Sequence, residues 1–297
     1  LISSFKKEIW EFNKTLFWVP LLFAILTIVA PAAQFLLMDG GQIGHFLEVL
    51  DQLQHMENPP NVDKVVLGAL TGLCVPFIMV ALLVQLYYFI TCLFDERRDL
   101  SVYFWRSLPV SDASAIGVKL VTGALLIPGI FMLGATLAVL VYLLIAFIAS
   151  IVLSTGYDIS LWHLWWDADL LSNLASIWLG ILPYALWMLP LYAWLMLASM
   201  YANKAPFLWA VIPVVAILLV ESFLVQYFQL SNGFIGQRLM EYFKFGSNFM
   251  PMDLSQSEYP KLLMSSALFS KVSLGGVLLA CALLYLTYWL RANRSQQ

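Results

Sequence analysis

Two histidines and two carboxylates of the first loop have the types and spacing of a metal site. His45, Glu48, Asp51 and His55 fall within one stripe of a helix at 100° per residue, opposite its apolar side. Imidazole and carboxylate groups on one face can bind a divalent metal. The same pattern is also typical of the wet face of an amphipathic surface helix, which needs no ligand. Metal binding here therefore stays a hypothesis.

Sequence motifs for nucleotide binding and for hydrolysis are absent. The chain has no G-x-x-x-x-G-K-[ST] loop to hold phosphates, no H-E-x-x-H zinc helix and no G-x-S-x-G nucleophile elbow. Three histidines are too few for a bundle with several haem ligand pairs. We expect no catalytic residue, no bound metal and no cofactor in this chain.

Four polar side chains fall within apolar runs. Glu221 is an ionisable group, which is costly inside a membrane and usually faces a protein interior or a water-filled path. A position near the outer interface, where a carboxylate reaches the headgroups, is the alternative. Gln34, Gln85 and Gln226 are further candidates for a transport pathway, or they hydrogen-bond between helices.

The composition is that of an integral membrane protein. Of 297 residues, 62% are hydrophobic and 11% are charged, whereas a soluble domain carries about 25% charged residues. The apolar runs predict an all-α fold in one domain, residues 1–297, with a first span too long for a signal-peptide core. Its six spans cover about residues 16–38, 65–94, 115–153, 174–200, 206–230 and 271–290. The outer segments are 39–64, 154–173 and 231–270.

The third run is too long for a straight crossing. We expect it to project from the membrane or to break at Pro128-Gly129. Six spans place both termini on one side, and ten of the fifteen Lys and Arg residues lie on that side. Positive charge marks the cytoplasmic side, so both termini and the connection 95–112 are predicted to be cytoplasmic.

The connection 95–112 is charged and rich in aromatic residues. If residues 96–108 are helical, Leu100, Phe104 and Leu108 share one apolar face. Arg98 and Arg106 lie off that face. Pro109 ends this helix, and Ser111 or Asp112 can cap the next one. Such a rod fits a groove of a partner protein, or else lies on the lipid headgroups with its arginines snorkelling.

The order of residues Glu96-Arg97-Arg98-Asp99, Ser101 and Phe104 to Asp112 resembles the cytoplasmic loop of bacterial ABC-2 type transporter permeases. The resemblance implies two permease protomers and a separate ATPase subunit, which holds the ATP and Mg. It also implies a connecting helix at Phe5 to Phe12, for which a membrane-surface anchor is the alternative. The residues expected to couple to the ATPase are Glu96, Arg97, Arg98, Leu100, Phe104, Trp105, Arg106 and Leu108.

These expectations describe a multi-pass exporter subunit of a bacterial inner membrane. Its cargo would be amphipathic or hydrophobic, such as a drug, a lipid or a peptide, because the spans hold few charges. Its partners would be the ATPase, a second permease and membrane lipids, with no nucleic acid. A mechanotransmitter that moves no cargo and a structural subunit of a larger membrane complex are the alternatives. A proton-driven transporter is disfavoured by the scarcity of carboxylates inside the spans.

Overall fold

The computed structural model confirms an all-α protein with six helices long and apolar enough to cross a membrane. No β-strand occurs among the residues that it describes. Those residues are 5–6, 8, 10, 12–54, 62–98, 111–160, 162, 165, 168–229, 233, 235–243 and 268–294.

The helices lie within four residues of the predicted span limits. Span 1 is a π-helical turn, Lys14–Trp18, followed by Val19–Leu36. Span 2 is Val62–Arg98, and span 3 is Asp112–Val121, a π turn at Thr122–Leu126, and Ile127–Gly156. Span 4 is Leu170–Leu179 and Ile181–Tyr201, span 5 is Pro206–Tyr227, and span 6 is Leu274–Arg294. Two loop helices are Gly40–Gln54 and Ile235–Phe243.

Of the two alternatives for span 3, projection from the membrane or a break at Pro128-Gly129, the break does not occur. Proline lacks the N–H that would continue an α-helix. The chain accommodates it with the π turn just before it, where the Ile127 N–H donates to the carbonyl of Thr122, five residues earlier. Span 3 is thus one continuous helix of 45 residues, which is long enough to project beyond a bilayer.

Spans 2, 3 and 4 form the core of the bundle, and spans 1 and 6 pack on opposite parts of it. At its centre the rings of Phe89 and Tyr192 stack with centroids 4.4 Å apart, and Trp187 is fully buried nearby. A second apolar cluster around Phe77 joins spans 1, 2, 3 and 4 farther from the ends linked by residues 99–110. The bundle therefore holds together mainly by packing of large side chains.

Span 5 differs from the other spans because Ala210 alone is buried within Pro206–Tyr227. Its apolar surface is left for lipid or for another protein.

Gly123 lies in the π turn directly against the ring of Phe89, so a Cβ at this position would overlap the ring. We expect Gly123→Ala to destabilise the protein by about 1–3 kcal/mol, because the fully buried ring has little room to move. Thermal unfolding in detergent would measure this. Gly129→Ala is the matched control, because a Cβ there meets open space on the same span. Equal unfolding temperatures for the two variants would contradict the packing at Phe89.

Candidate functional site

Five charged side chains meet at the end of the bundle where span 2 ends and span 3 begins. We call Glu8, Glu96, Asp112, Lys119 and Arg291 the ionic network. Four of them are only 3–8% exposed, and Asp112 is half-buried. Charged groups are almost never buried unless they are paired. The network is therefore the most unusual electrostatic feature among the residues that the structure describes.

Lys119 lies at the centre of the ionic network. Its Nζ donates to Oε1 of Glu8 at 2.8 Å and lies 3.2 Å from Oε1 of Glu96. The other Glu8 oxygen accepts a hydrogen bond of 2.8 Å from the Tyr88 hydroxyl. The Phe12 ring packs edge-on against Tyr88 at 5.0 Å. These contacts fix Glu8 and Phe12, which precede span 1, between the ends of spans 2 and 3.

Arg291 of span 6 contacts both the end of span 2 and the start of span 3. Its Nη1 donates to Oε2 of Glu96 at 3.1 Å, and its Nε donates to Oδ1 of Asp112 at 2.9 Å. Glu96 is in the last turn of span 2, and Asp112 is the first residue of span 3. One guanidinium thus holds both ends of the segment between them, and its planar fork suits such a two-carboxylate contact.

Arg97 extends these contacts to span 4. Its Nη2 donates to the carbonyls of Ser199 and Ala202, at 2.9 and 2.6 Å. Ser199 lies in the last turn of span 4 and Ala202 is its C-cap, where backbone acceptors lack partners within the helix. The hydroxyl of Ser199 accepts from the backbone N–H of Phe94 at 3.0 Å. The ends of spans 1, 2, 3, 4 and 6 are therefore joined at one end of the bundle, as six alternating spans require.

The described residues of the predicted coupling set differ in their exposure. Glu96 and Arg97 are turned into the bundle, whereas Arg98 is exposed, 3.5 Å from Asp95. Leu100, Phe104, Trp105, Arg106 and Leu108 lie outside the described residues. Ser111 is the N-cap of span 3, as predicted, and its hydroxyl accepts from the Ser114 N–H at 3.2 Å.

Sequence reasoning missed Glu8, Lys119 and Arg291 as partners in one cluster. Lys119 and Arg291 count in the sequence only as positive charges on the side of the termini, and Glu8 only as one of the charged residues that precede the first apolar run. One signal was present: Lys119 interrupts an otherwise apolar run, and a buried cation needs a carboxylate at the same membrane depth.

Gln85 forms hydrogen bonds between helices. Its Nε2 donates to the carbonyl of Gly123 at 2.9 Å, and its Oε1 accepts from the Tyr184 hydroxyl at 3.1 Å. The π turn explains this contact. With hydrogen bonds that span five residues, the Gly123 carbonyl would accept from the N–H of residue 128, and Pro128 has no N–H. Gln85 therefore supplies the missing donor, beside an apolar cavity of about 90 Å³. A pathway role for it stays a prediction.

The other polar residues of the predicted pathway lie at the far end of the bundle. Gln34 and Gln226 are exposed, near the ends of spans 1 and 5. The Glu221 carboxylate accepts from the backbone N–H groups of Ile235 and Gly236, the latter at 2.6 Å. Glu221 thus caps the second loop helix, where a negative charge also favours the helix dipole. The pathway role and the interface alternative for Glu221 both stay predictions.

The second loop helix is held to the bundle at its other end. The Tyr242 hydroxyl donates to the carbonyl of Trp187, and the Lys271 ammonium lies over the Trp187 ring, 5.4 Å from its centroid. Partial burial raises the pKa of Tyr242.

The metal hypothesis gains no support in the described part of the chain. Nδ1 of His45 lies 3.9 Å from Glu48, with both side chains exposed. No three His, Cys, Asp or Glu residues there are grouped to hold a metal ion. His55 lies outside the described residues.

Comparisons with family models, with curated proteins and with solved structures find no match to this chain.

Removing the central cation should destabilise the fold strongly. Lys119→Met leaves the buried carboxylates Glu8 and Glu96 facing each other, and breaking a buried pair in this way costs about 3–5 kcal/mol. Adding Glu8→Gln should restore part of the loss, which a double-mutant cycle of unfolding temperatures would measure. Lys204→Met, at an exposed lysine of the same end, is the control. Additive effects of the two substitutions would contradict the direct pairing.

Glu221→Gln should loosen the second loop helix. Loss of the capping charge is expected to cost about 1 kcal/mol locally, because the amide offers one acceptor oxygen for two backbone donors. Hydrogen exchange of residues 235–243 would report faster opening there and no change in spans 2 and 3. Glu241→Gln, an exposed change in the same helix, should leave exchange unchanged. Unchanged exchange in both variants would refute the capping role.

Proposed function

We propose that this chain is the membrane subunit of an ATP-driven exporter of the ABC-2 type, working with a separate ATPase. The observation that supports this most directly is the attachment of the segment 99–110. Its sequence resembles a coupling loop, and its two ends are held by Glu96 and Asp112 on one arginine. A segment anchored in this way can pass a displacement to several spans at once.

The ionic network determines how a displacement would spread. A push on the segment moves Glu96 and Asp112, which are held by Arg291 of span 6 and, through Glu96, by Lys119 of span 3. Breaking these contacts would leave buried charges unpaired, so the helix ends move together more cheaply than they separate. In the proposed cycle, ATP and Mg bind the partner ATPase, its subunits close, and the joined helix ends shift as a unit.

The distribution of Lys and Arg supports the proposed orientation, and the apolar core supports the proposed cargo. The end with the ionic network is assigned to the cytoplasm of a bacterial inner membrane, following the distribution of Lys and Arg. Between the network and the outer end, the described cores of spans 1 to 4 are mainly apolar, with a few buried polar groups such as the bonded pair Gln85 and Tyr184. An amphipathic or hydrophobic cargo suits such walls better than an ion.

A second permease copy is the proposed partner within the membrane. The sparse burial of span 5 leaves a full apolar helix surface for it. Pairing of two copies would enclose a pathway between them.

Co-purification tests the proposal first. The permease is isolated in mild detergent from cells that express its own operon, and bound proteins are identified by mass spectrometry. We expect an ATPase that is lost from a Phe104→Asp, Leu108→Asp double variant, because charge on the apolar face of the segment opposes docking. Wild-type protein that carries no ATPase in several mild detergents, while staying folded, would contradict the proposal.

A second variant separates docking from coupling. Asp112→Asn removes the charge that Arg291 holds but leaves the apolar face of the segment intact. We expect the ATPase to remain bound while stimulation of its activity by the permease falls about tenfold. Asp158→Asn, at the opposite end of the bundle, is the matched control. Full stimulation in the Asp112 variant would show that the network transmits nothing.

A further inference from the structure

An apolar groove lies at the end of the bundle opposite the ionic network. Its volume is about 540 Å³, and spans 2 and 3 form its two long walls. Val66, Leu70 and Leu73 line one wall, and Val139 and Leu143 line the other. The volume is within the range of about 300–1,000 Å³ that is usual for small-ligand sites.

The lining of the groove offers no free polar group to a ligand. Tyr142 donates its hydroxyl hydrogen to the carbonyl of Thr27. Ser150 donates to the carbonyl of Ala146 at 2.9 Å and accepts from the indole N–H of Trp165 at 3.1 Å. The lining contains no charged residue. A molecule that needs hydrogen bonds would lose those it made with water, so the groove selects for hydrocarbon.

The groove lies at the end of the bundle far from the network, beside apolar and exposed helix surface. Along span 3, Val139 is about 30 Å from Lys119 at 1.5 Å per residue. Neighbouring residues of span 3 that point away from the groove, such as Leu144 and Ile148, are apolar and exposed. The groove is therefore continuous with a surface that suits lipid chains.

We propose that this groove binds one acyl chain of a membrane lipid. The chain lies between spans 2 and 3 with its hydrocarbon on Leu73 and Leu143, and its headgroup stays outside the groove at the membrane surface. An apolar cavity of this size does not hold ordered water well, so a chain is the favourable occupant in a bilayer. This binding requires neither the ATPase nor transport, and it can hold or fail independently of the proposed function.

The test uses the full chain in nanodiscs of phosphatidylcholine, with a small share of phosphatidylcholine that carries a photoreactive diazirine midway along one acyl chain. After illumination, labelled residues are identified by mass spectrometry. We expect labelling of Leu73 and Leu143 well above that of the exposed Leu144 and Ile148. Ala146→Trp, which fills the groove, should lower the labelling of Leu73 about tenfold.

Ile148→Trp is the matched control, because it adds the same ring to the outer surface of the same helix. Ala69→Trp fills the groove from the opposite wall and gives the same result without relying on one variant's folding. Labelling spread evenly over all exposed faces, or labelling that both filling variants leave unchanged, would overturn the proposal and indicate ordinary boundary lipid.

Discussion

The rest of the structure depends on the position of one ammonium group between two carboxylates. Lys119 lies in span 3. The free energy of burying its charge without a partner would exceed what one helix–helix contact contributes to stability. Glu8 and Glu96 make its burial possible, and Arg291 balances Glu96 in turn. Each partner comes from a different part of the chain. Pairing therefore fixes Glu8, ahead of span 1, and three spans relative to one another, which apolar packing between helices in a membrane would specify only weakly.

The two ends of the bundle consequently have different physical characters. At the network end, charged and hydrogen-bonded contacts such as Arg97 on Ser199 join the helices. At the other end, the described residues of spans 2 and 3 line an apolar groove that contains no charged residue. Continuous helices connect these ends, because span 2 runs from the groove to Glu96 without interruption. A displacement at the joined end can therefore change the width of the open one.

The sequence was sufficient for the spans because length and hydropathy alone identify them. It was sufficient for the Ser111 cap because capping is a local property. It was insufficient for the ionic network, because Glu8 and Lys119 are 111 residues apart and only the packing of spans 1 to 3 brings them together. The sequence left open whether span 3 breaks at Pro128 for a similar reason: a distant glutamine satisfies the carbonyl that the proline leaves without a donor.

The π turn before Pro128 has a consequence for how the sequence of this chain can vary. It inserts one residue into the helical repeat, which rotates everything on one side of it by about 100° relative to the other. Without that offset, Lys119 could not face Glu8 while Phe131 faces the core. Gln85, Gly123 and Pro128 together maintain the offset. These three residues therefore set the register of span 3, and we expect related sequences to replace them together and not one at a time.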